Sequence, residues 1–186
     1  MPRLFVAIPM PGEAAPPIGR LARGLPDARW TPLGDLHLTL RFLGEVDHDT
    51  FCEIGEALAG ITLPPFDLAL KGIGQFPPRG PLRHLWVGVE PSDGLERLKR
   101  RVDRAAASAG VPPESRKWLP HVTVARFRYP PPEARLGDWL RNRSLFRAEP
   151  FPVSAFCLYS SRLHPDGAEH TLEASYDFVT GFMERV

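Results

Sequence analysis

The chain has 186 residues and a formal net charge of +1. That length can bury a core without disulfide staples, and the near-neutral charge argues against coating long nucleic acid, which needs many phosphates neutralised at once. A partner with few phosphates, or an RNA end, stays open. The two cysteines, Cys52 and Cys157, lie far apart in no C-x-x-C or Cys/His pattern. This argues against a zinc ribbon or thioredoxin-like site and reads both as ordinary buried thiols in a reducing compartment.

In chain order, Arg3 to Ile8 reads as a strand closed by Pro9. Its apolar run is too short for a signal peptide or a membrane span, so the expected compartment is the cytoplasm, with no membrane partner. Ile18, Leu21, Ala22 and Leu25 recur at helical spacing. The turn-rich Trp30-Thr31-Pro32-Leu33-Gly34-Asp35 leads into a strand from Leu36 to Leu43 that stops at Gly44. Phe51, Ile54 and Leu58 mark one face of a second helix, capped by Asp47 or Asp49 and ended by Pro64-Pro65.

Phe66 to Ile73 and Leu82 to Val89 read as strands joined by a loop from Gly74 to Gly80. Ser92 caps a predicted helix that carries Leu95, Leu98, Val102, Ala105 and Ala109 on one face and Arg97, Lys99, Arg100, Arg101 and Arg104 on a solvated one. After Trp118-Leu119-Pro120 comes a strand from His121 to about Arg128, then a short helix over Glu133 to Arg141. Phe151 to Ser160 and Thr171 to Val179 read as closing strands. The order predicts an α+β fold with antiparallel sheets flanked by helices. The recurrence of turn, strand and helix predicts two related lobes merged into a single domain over 1–186, since two copies of unequal length do not make a solenoid.

Each of two strands carries an H-x-T motif, His37-Leu38-Thr39 and His121-Val122-Thr123. Residues two apart on a strand share a face, so each motif presents an imidazole beside a hydroxyl. One such pair is weak evidence, because strand histidines are often structural and Thr is a good strand former. Two in matched settings point to paired chemistry. An imidazole can be charged or neutral near neutral pH, so two of them supply an acid and a base. No metal or other cofactor is expected, for there is no carboxylate cluster and His48, His84, His164 and His170 show no ligand spacing.

The motifs in their surroundings, His37-Leu38-Thr39-Leu40-Arg41-Phe42-Leu43-Gly44-Glu45 and Pro120-His121-Val122-Thr123-Val124-Ala125-Arg126, resemble the 2H phosphoesterases, in particular the RNA 2',3'-cyclic phosphodiesterases once described as 2'-5' RNA ligases. The likeness extends to Leu4-Phe5-Val6-Ala7-Ile8, Gly74-Gln75-Phe76-Pro77, Leu85-Trp86-Val87-Gly88-Val89 and Leu158-Tyr159-Ser160-Ser161-Arg162-Leu163. It implies a two-lobed, pseudo-twofold fold with the motifs lining a central groove. It also implies hydrolysis of a 2',3'-cyclic phosphate at an RNA or nucleotide end to a 2'-phosphate, with 2'-5' ligation as a side activity. The residues themselves do not order the two imidazoles. The resemblance assigns His37 as proton donor to the leaving oxygen and His121 as acceptor from water, with Thr39 and Thr123 donating to the phosphate oxygens.

Arg126 is by the same likeness a phosphate partner, yet in a regular strand it points away from His121, and a β-bulge is needed to bring it round. Arg41 is in phase with His37 and Thr39 and is expected to reach the cleft or to pair with a carboxylate. Phe42 alternates with the site face and reads as core, whereas Trp30 is open between core and base stacking. Where the family carries Tyr near the end of the chain, this sequence has His170, which puts a substrate contact from that strand in doubt. The expected partner is an RNA end or nucleotide with a 2',3'-cyclic phosphate, no obligatory protein partner is implied, and a monomer is the default. Competing readings are a noncatalytic RNA-end or nucleotide-binding module, a phosphodiesterase for another cyclic or 2'-5' linked nucleotide, and a metal hydrolase.

Overall fold

The computed structural model describes residues 3–164 and 167–178. β1 (Arg3–Pro9) leads into a single helical turn, α1 (Ala15–Gly19), then β2 (Ala28–Trp30) and β3 (His37–Glu45). The helix expected as far as Leu25 is short because Pro16 and Pro17 open it and the chain then turns through Gly24 at φ 90°. Leu21 and Leu25 are buried all the same. Apolar spacing predicted their burial, and turns rather than helix deliver it. β2 takes in Trp30, the first residue of the stretch read as turn.

α2 (His48–Ala59) is capped by Asp47, whose carboxylate accepts from Thr50 N at 2.8 Å. It buries Ile54 and Leu58, each contributing roughly 1.5–3 kcal/mol. Cys52, on its outer face, is exposed rather than buried, and Cys157 is buried as expected. The single strand expected over Phe66–Ile73 is divided in two. β4 (Phe66–Leu68) pairs elsewhere, while β5 (Leu70–Phe76) runs through residues expected in a loop and pairs with β6 (His84–Val89). Gly74 permits this pairing: a Cβ there would lie 2.0 Å from the Trp86 ring.

α3 (Asp93–Ser108) buries the predicted apolar face. Ser92 is at its N-cap, but the hydroxyl donates to the Asp67 carbonyl instead. Lys99, expected on the solvated face, is buried, with Nζ 2.6 Å from both Asp103 oxygens. β7 (His121–Phe127) and α4 (Glu133–Arg141) follow as predicted. β8 (Phe151–Val153) pairs with β4, and the long hairpin β9 (Ala155–His164) and β10 (Gly167–Asp177) ends the described chain. Val179, predicted to end the last strand, lies outside the described residues.

The α+β reading holds. The main sheet has the order β10-β9-β1-β3-β7-β6-β5, with β2 beside β7, and its neighbouring strands all pair antiparallel. Read outward from the centre, β3 and β1 on one side match β7 and β6 on the other. β3 and β7 meet in a single ladder pair, Leu38↔Val122. These are the central residues of the two H-x-T motifs, and both are fully buried. Among the described residues no helix is long and apolar enough to cross a membrane.

Candidate active site

Continuing the antiparallel register one residue either side of Leu38↔Val122 sets His37 opposite Thr123 and Thr39 opposite His121. The four side chains share the face opposite the buried Leu38 and Val122. The imidazoles are diagonal neighbours, with backbones roughly 7–8 Å apart. All four residues line one cavity of about 280 Å³.

Both strands are distorted at the same offset from the histidine. Against β1, Leu40 is the extra residue between Thr39 and Arg41; against β6, Val124 is the extra residue between Thr123 and Ala125. Each bulge inverts the alternation beyond it. Leu40 and Arg41 are therefore both buried, as are Val124 and Ala125. Phe42 and Arg126 emerge on the histidine face and line the cavity.

The bulge required for Arg126 is present. The same device decides Arg41 for the second of its two alternatives, pairing with a carboxylate, and reverses the expectation for Phe42. Arg41 does not reach the cleft: it is 5% exposed on the opposite face, where Nη2 donates to the Pro112 carbonyl and Nη1 lies 3.4 Å from Asp103. Phe42, read as core, is 63% exposed in the groove.

The two histidines are held alike. Nδ1 of His37 donates to the Asp35 carbonyl and Nδ1 of His121 to the Leu119 carbonyl, each at 2.7 Å. A carbonyl only accepts, so Nδ1 carries the proton and Nε2 is left for the groove. The motif carbonyls are held by the segment that precedes the other motif. Trp118 Nε1 donates to Thr39 O and Thr31 Oγ1 to Thr123 O, both at 3.1 Å. Replacing Trp118 with Phe orphans the Thr39 carbonyl. This is expected to destabilise the protein by about 1–3 kcal/mol in denaturant unfolding, and an unchanged midpoint would contradict it.

Aromatic side chains wall each imidazole. Phe76 and Trp86 flank His121, with ring centroids 5.0 and 6.0 Å away. Phe5, Tyr159 and His170 surround His37 at 5.2, 6.4 and 5.3 Å. Phe5, Phe76, Trp86 and Tyr159 lie in segments that carry the family likeness, which by itself gives them no place at the site. Their strand phase was the available signal. His170 meets His37 edge-on, so β10 does reach the groove. Trp30 is half-buried against Trp139 at 6.0 Å and lines a second, adjoining cavity.

Burial pushes His37 below the ordinary imidazole value, and the His170 and Arg126 charges push it further. Its hydrogen bond to the Asp35 carbonyl acts the other way. Burial also lowers His121, opposed by the Leu119 carbonyl. Both rings are thus biased toward the neutral form while the Nδ1 bonds keep the charged form within reach. Among the described residues, no group of three or more His, Cys, Asp or Glu is placed to hold a metal ion.

The profile of the 2'-5' RNA ligase superfamily matches residues 10–165. An RNA 2',3'-cyclic phosphodiesterase of Thermotoga maritima is 34% identical over 192 aligned positions, covering 97% of this chain and 98% of that protein. One from Aeropyrum pernix is 40% identical over 120, covering 60% and 68%. Among solved structures, Escherichia coli LigT complexed with 3'-AMP superposes with a TM-score of 0.74 at 29% identity, covering 96% of this chain and 99% of that one.

Proposed function

The chain belongs to the 2'-5' RNA ligase superfamily, and from that premise we propose that it is a metal-independent RNA 2',3'-cyclic phosphodiesterase that opens the ring to a 2'-phosphate. The observation carrying this reading is the Leu38↔Val122 pair, which sets two imidazoles and two hydroxyls around one small cavity. The names of the Thermotoga maritima and Aeropyrum pernix relatives support the substrate class.

In the proposed step, His121 Nε2 takes a proton from water as the water oxygen bonds to phosphorus. The P–O3' bond breaks, and O3' takes the proton carried by His37 Nε2. The products are a 2'-phosphomonoester and a free 3'-hydroxyl, and proton exchange with water resets the pair. Thr39 and Thr123 donate to the non-bridging oxygens, where one preorganised donor is worth about 3–4 kcal/mol. Arg126, turned inward by its bulge, adds a cationic partner. With a 5'-hydroxyl in place of water, the same step joins the cyclic end to that oxygen through a 2'-5' linkage while O3' departs with the proton; water at bulk concentration favours hydrolysis, so ligation is a side activity.

The test is product analysis on an oligoribonucleotide ending in 2',3'-cyclic phosphate, with and without exhaustive chelation, across a pH series. A 2'-phosphate product, unaffected by chelator, is expected. The base must be neutral, so kcat/KM falls as pH drops through its pKa; the acid must be charged, so kcat/KM falls as pH rises through its own. Both rings are pushed below 6.5. The maximum of kcat/KM is therefore expected on the acid side of 6.5, with limbs belonging to the pair. A 3'-phosphate product, loss of turnover with chelator, or a rate still rising past pH of about 7.5 would each refute the mechanism. Binding of the cyclic end without any product would favour a noncatalytic RNA-end module.

A further inference from the structure

The approximate symmetry of the motifs breaks where the bulges deliver their side chains. On β3 the groove receives Phe42; at the equivalent place on β7 it receives Arg126. The two halves of the groove consequently differ in charge. Beyond Arg126 the groove widens into a second cavity of about 1070 Å³, which reaches His37 and Thr123 but not Thr39 or His121. That volume lies at the upper end of small-ligand pockets, which run roughly 300–1,000 Å³. Its lining includes Arg29, Arg83, Arg126 and Arg128, with Asp35 as the one acidic residue among the described lining residues.

These cations are placed by the sheet. Arg126 pairs with Arg29 across β2–β7 and with His84 across β6–β7, forming one row over three strands. Arg83 Nη1 donates to the Arg128 carbonyl at 3.1 Å, and the Arg128 guanidinium lies over the Tyr129 ring at 5.6 Å.

We propose that this arginine-lined half of the groove binds the internucleotide phosphates of the RNA chain 5' to the cyclic end, so that the enzyme acts on polyribonucleotide ends in preference to mononucleotides. The inference rests on the reading of the site as a cyclic phosphodiesterase and specifies its substrate. It also gives the groove a direction. Phosphorus is held by O2' and O3' of the terminal ribose, whose O5' continues into the chain, and water must approach opposite the departing O3'. Chain and water therefore occupy opposite halves. The cationic half lies at His37, which places the ribose beside the proton donor and the water beside His121. Bound phosphates also offset the positive charge that disfavours protonated His37.

The experiment compares cytidine 2',3'-cyclic phosphate with a cytidine tetranucleotide ending in the same group. At least a tenfold higher kcat/KM is expected for the tetranucleotide. Single strands lose affinity with a slope of about −0.7 per neutralised phosphate, so two such contacts predict about a sevenfold fall in tetranucleotide kcat/KM from 50 to 200 mM salt, and a much smaller one for the mononucleotide. In the R83Q/R128Q double variant most of the length advantage is expected to disappear. Equal kcat/KM and equal salt slopes for the two substrates in the wild type, or a length advantage that survives the double variant, would overturn the proposal. Should neither substrate turn over, binding decides it by comparing a tetranucleotide 2'-phosphate with cytidine 2'-phosphate. Length-dependent, salt-sensitive binding without turnover sinks the catalytic reading and supports this site, whereas turnover or binding without length dependence sinks this site.

Discussion

Replacing His121 with Ala is expected to lower kcat/KM on an oligoribonucleotide 2',3'-cyclic phosphate by about 10² to 10⁴, and H37A by a similar factor. The loss corresponds to about 2.7–5.5 kcal/mol of transition-state stabilisation, because water must surrender its proton, or the ribose oxygen must depart, without a positioned partner. Stability should change much less. Each ring is partly exposed and donates a hydrogen bond to the backbone carbonyl two residues before it, at 2.7 Å. Losing that bond costs about 1 kcal/mol, or roughly 2–4 °C in Tm at this chain length. If the two proton transfers act on one transition state, the double variant should be only slightly worse than either single one. Either single variant retaining half of the wild-type kcat/KM would refute the assigned roles.

The opposite pattern is expected four residues along the same strand. Arg41 lies across the sheet from the groove, with Nη2 on the Pro112 carbonyl and Nη1 facing Asp103. Asp103 keeps Lys99 as a partner in the variant, so it is not left as an unpaired charge. R41A instead orphans the Pro112 carbonyl and empties a buried volume. Together these are expected to destabilise the fold by about 3 kcal/mol, or roughly 6–12 °C in Tm, while kcat/KM well below Tm stays within about threefold. R41M should recover the packing share. R126A should do the reverse, lowering kcat/KM by about tenfold or more at nearly unchanged Tm. A stable, inactive R41A would mean that Arg41 serves the site after all.

Strand periodicity pairs each histidine with its threonine, helical spacing marks the buried faces of α2 and α3, and the recurring order of elements predicts two related halves. These readings succeed because they depend on period, which is local to the chain. On β3, strict alternation puts Arg41 in phase with the histidine face and Phe42 out of it, and one inserted residue, Leu40, reverses both. A bulge is a property of the pairing between strands, so it leaves no signature in either strand alone. The likeness between the motifs did carry a hint, since Arg126 required a bulge and β3 has the same spacing up to that point.

The division of Phe66–Ile73 between two sheets was equally invisible, because partner choice is made by β8 and β6 far along the chain. His170, doubted as a site residue, is brought to His37 by a hairpin whose register lies in backbone hydrogen bonds. The residue types that carry the proposed chemistry, and their two-residue spacing, were therefore legible in the amino-acid order. Which side chains share the groove with that chemistry, and which half of it is cationic, was decided by tertiary pairing, because strand register and bulges are set by contacts between segments distant in sequence.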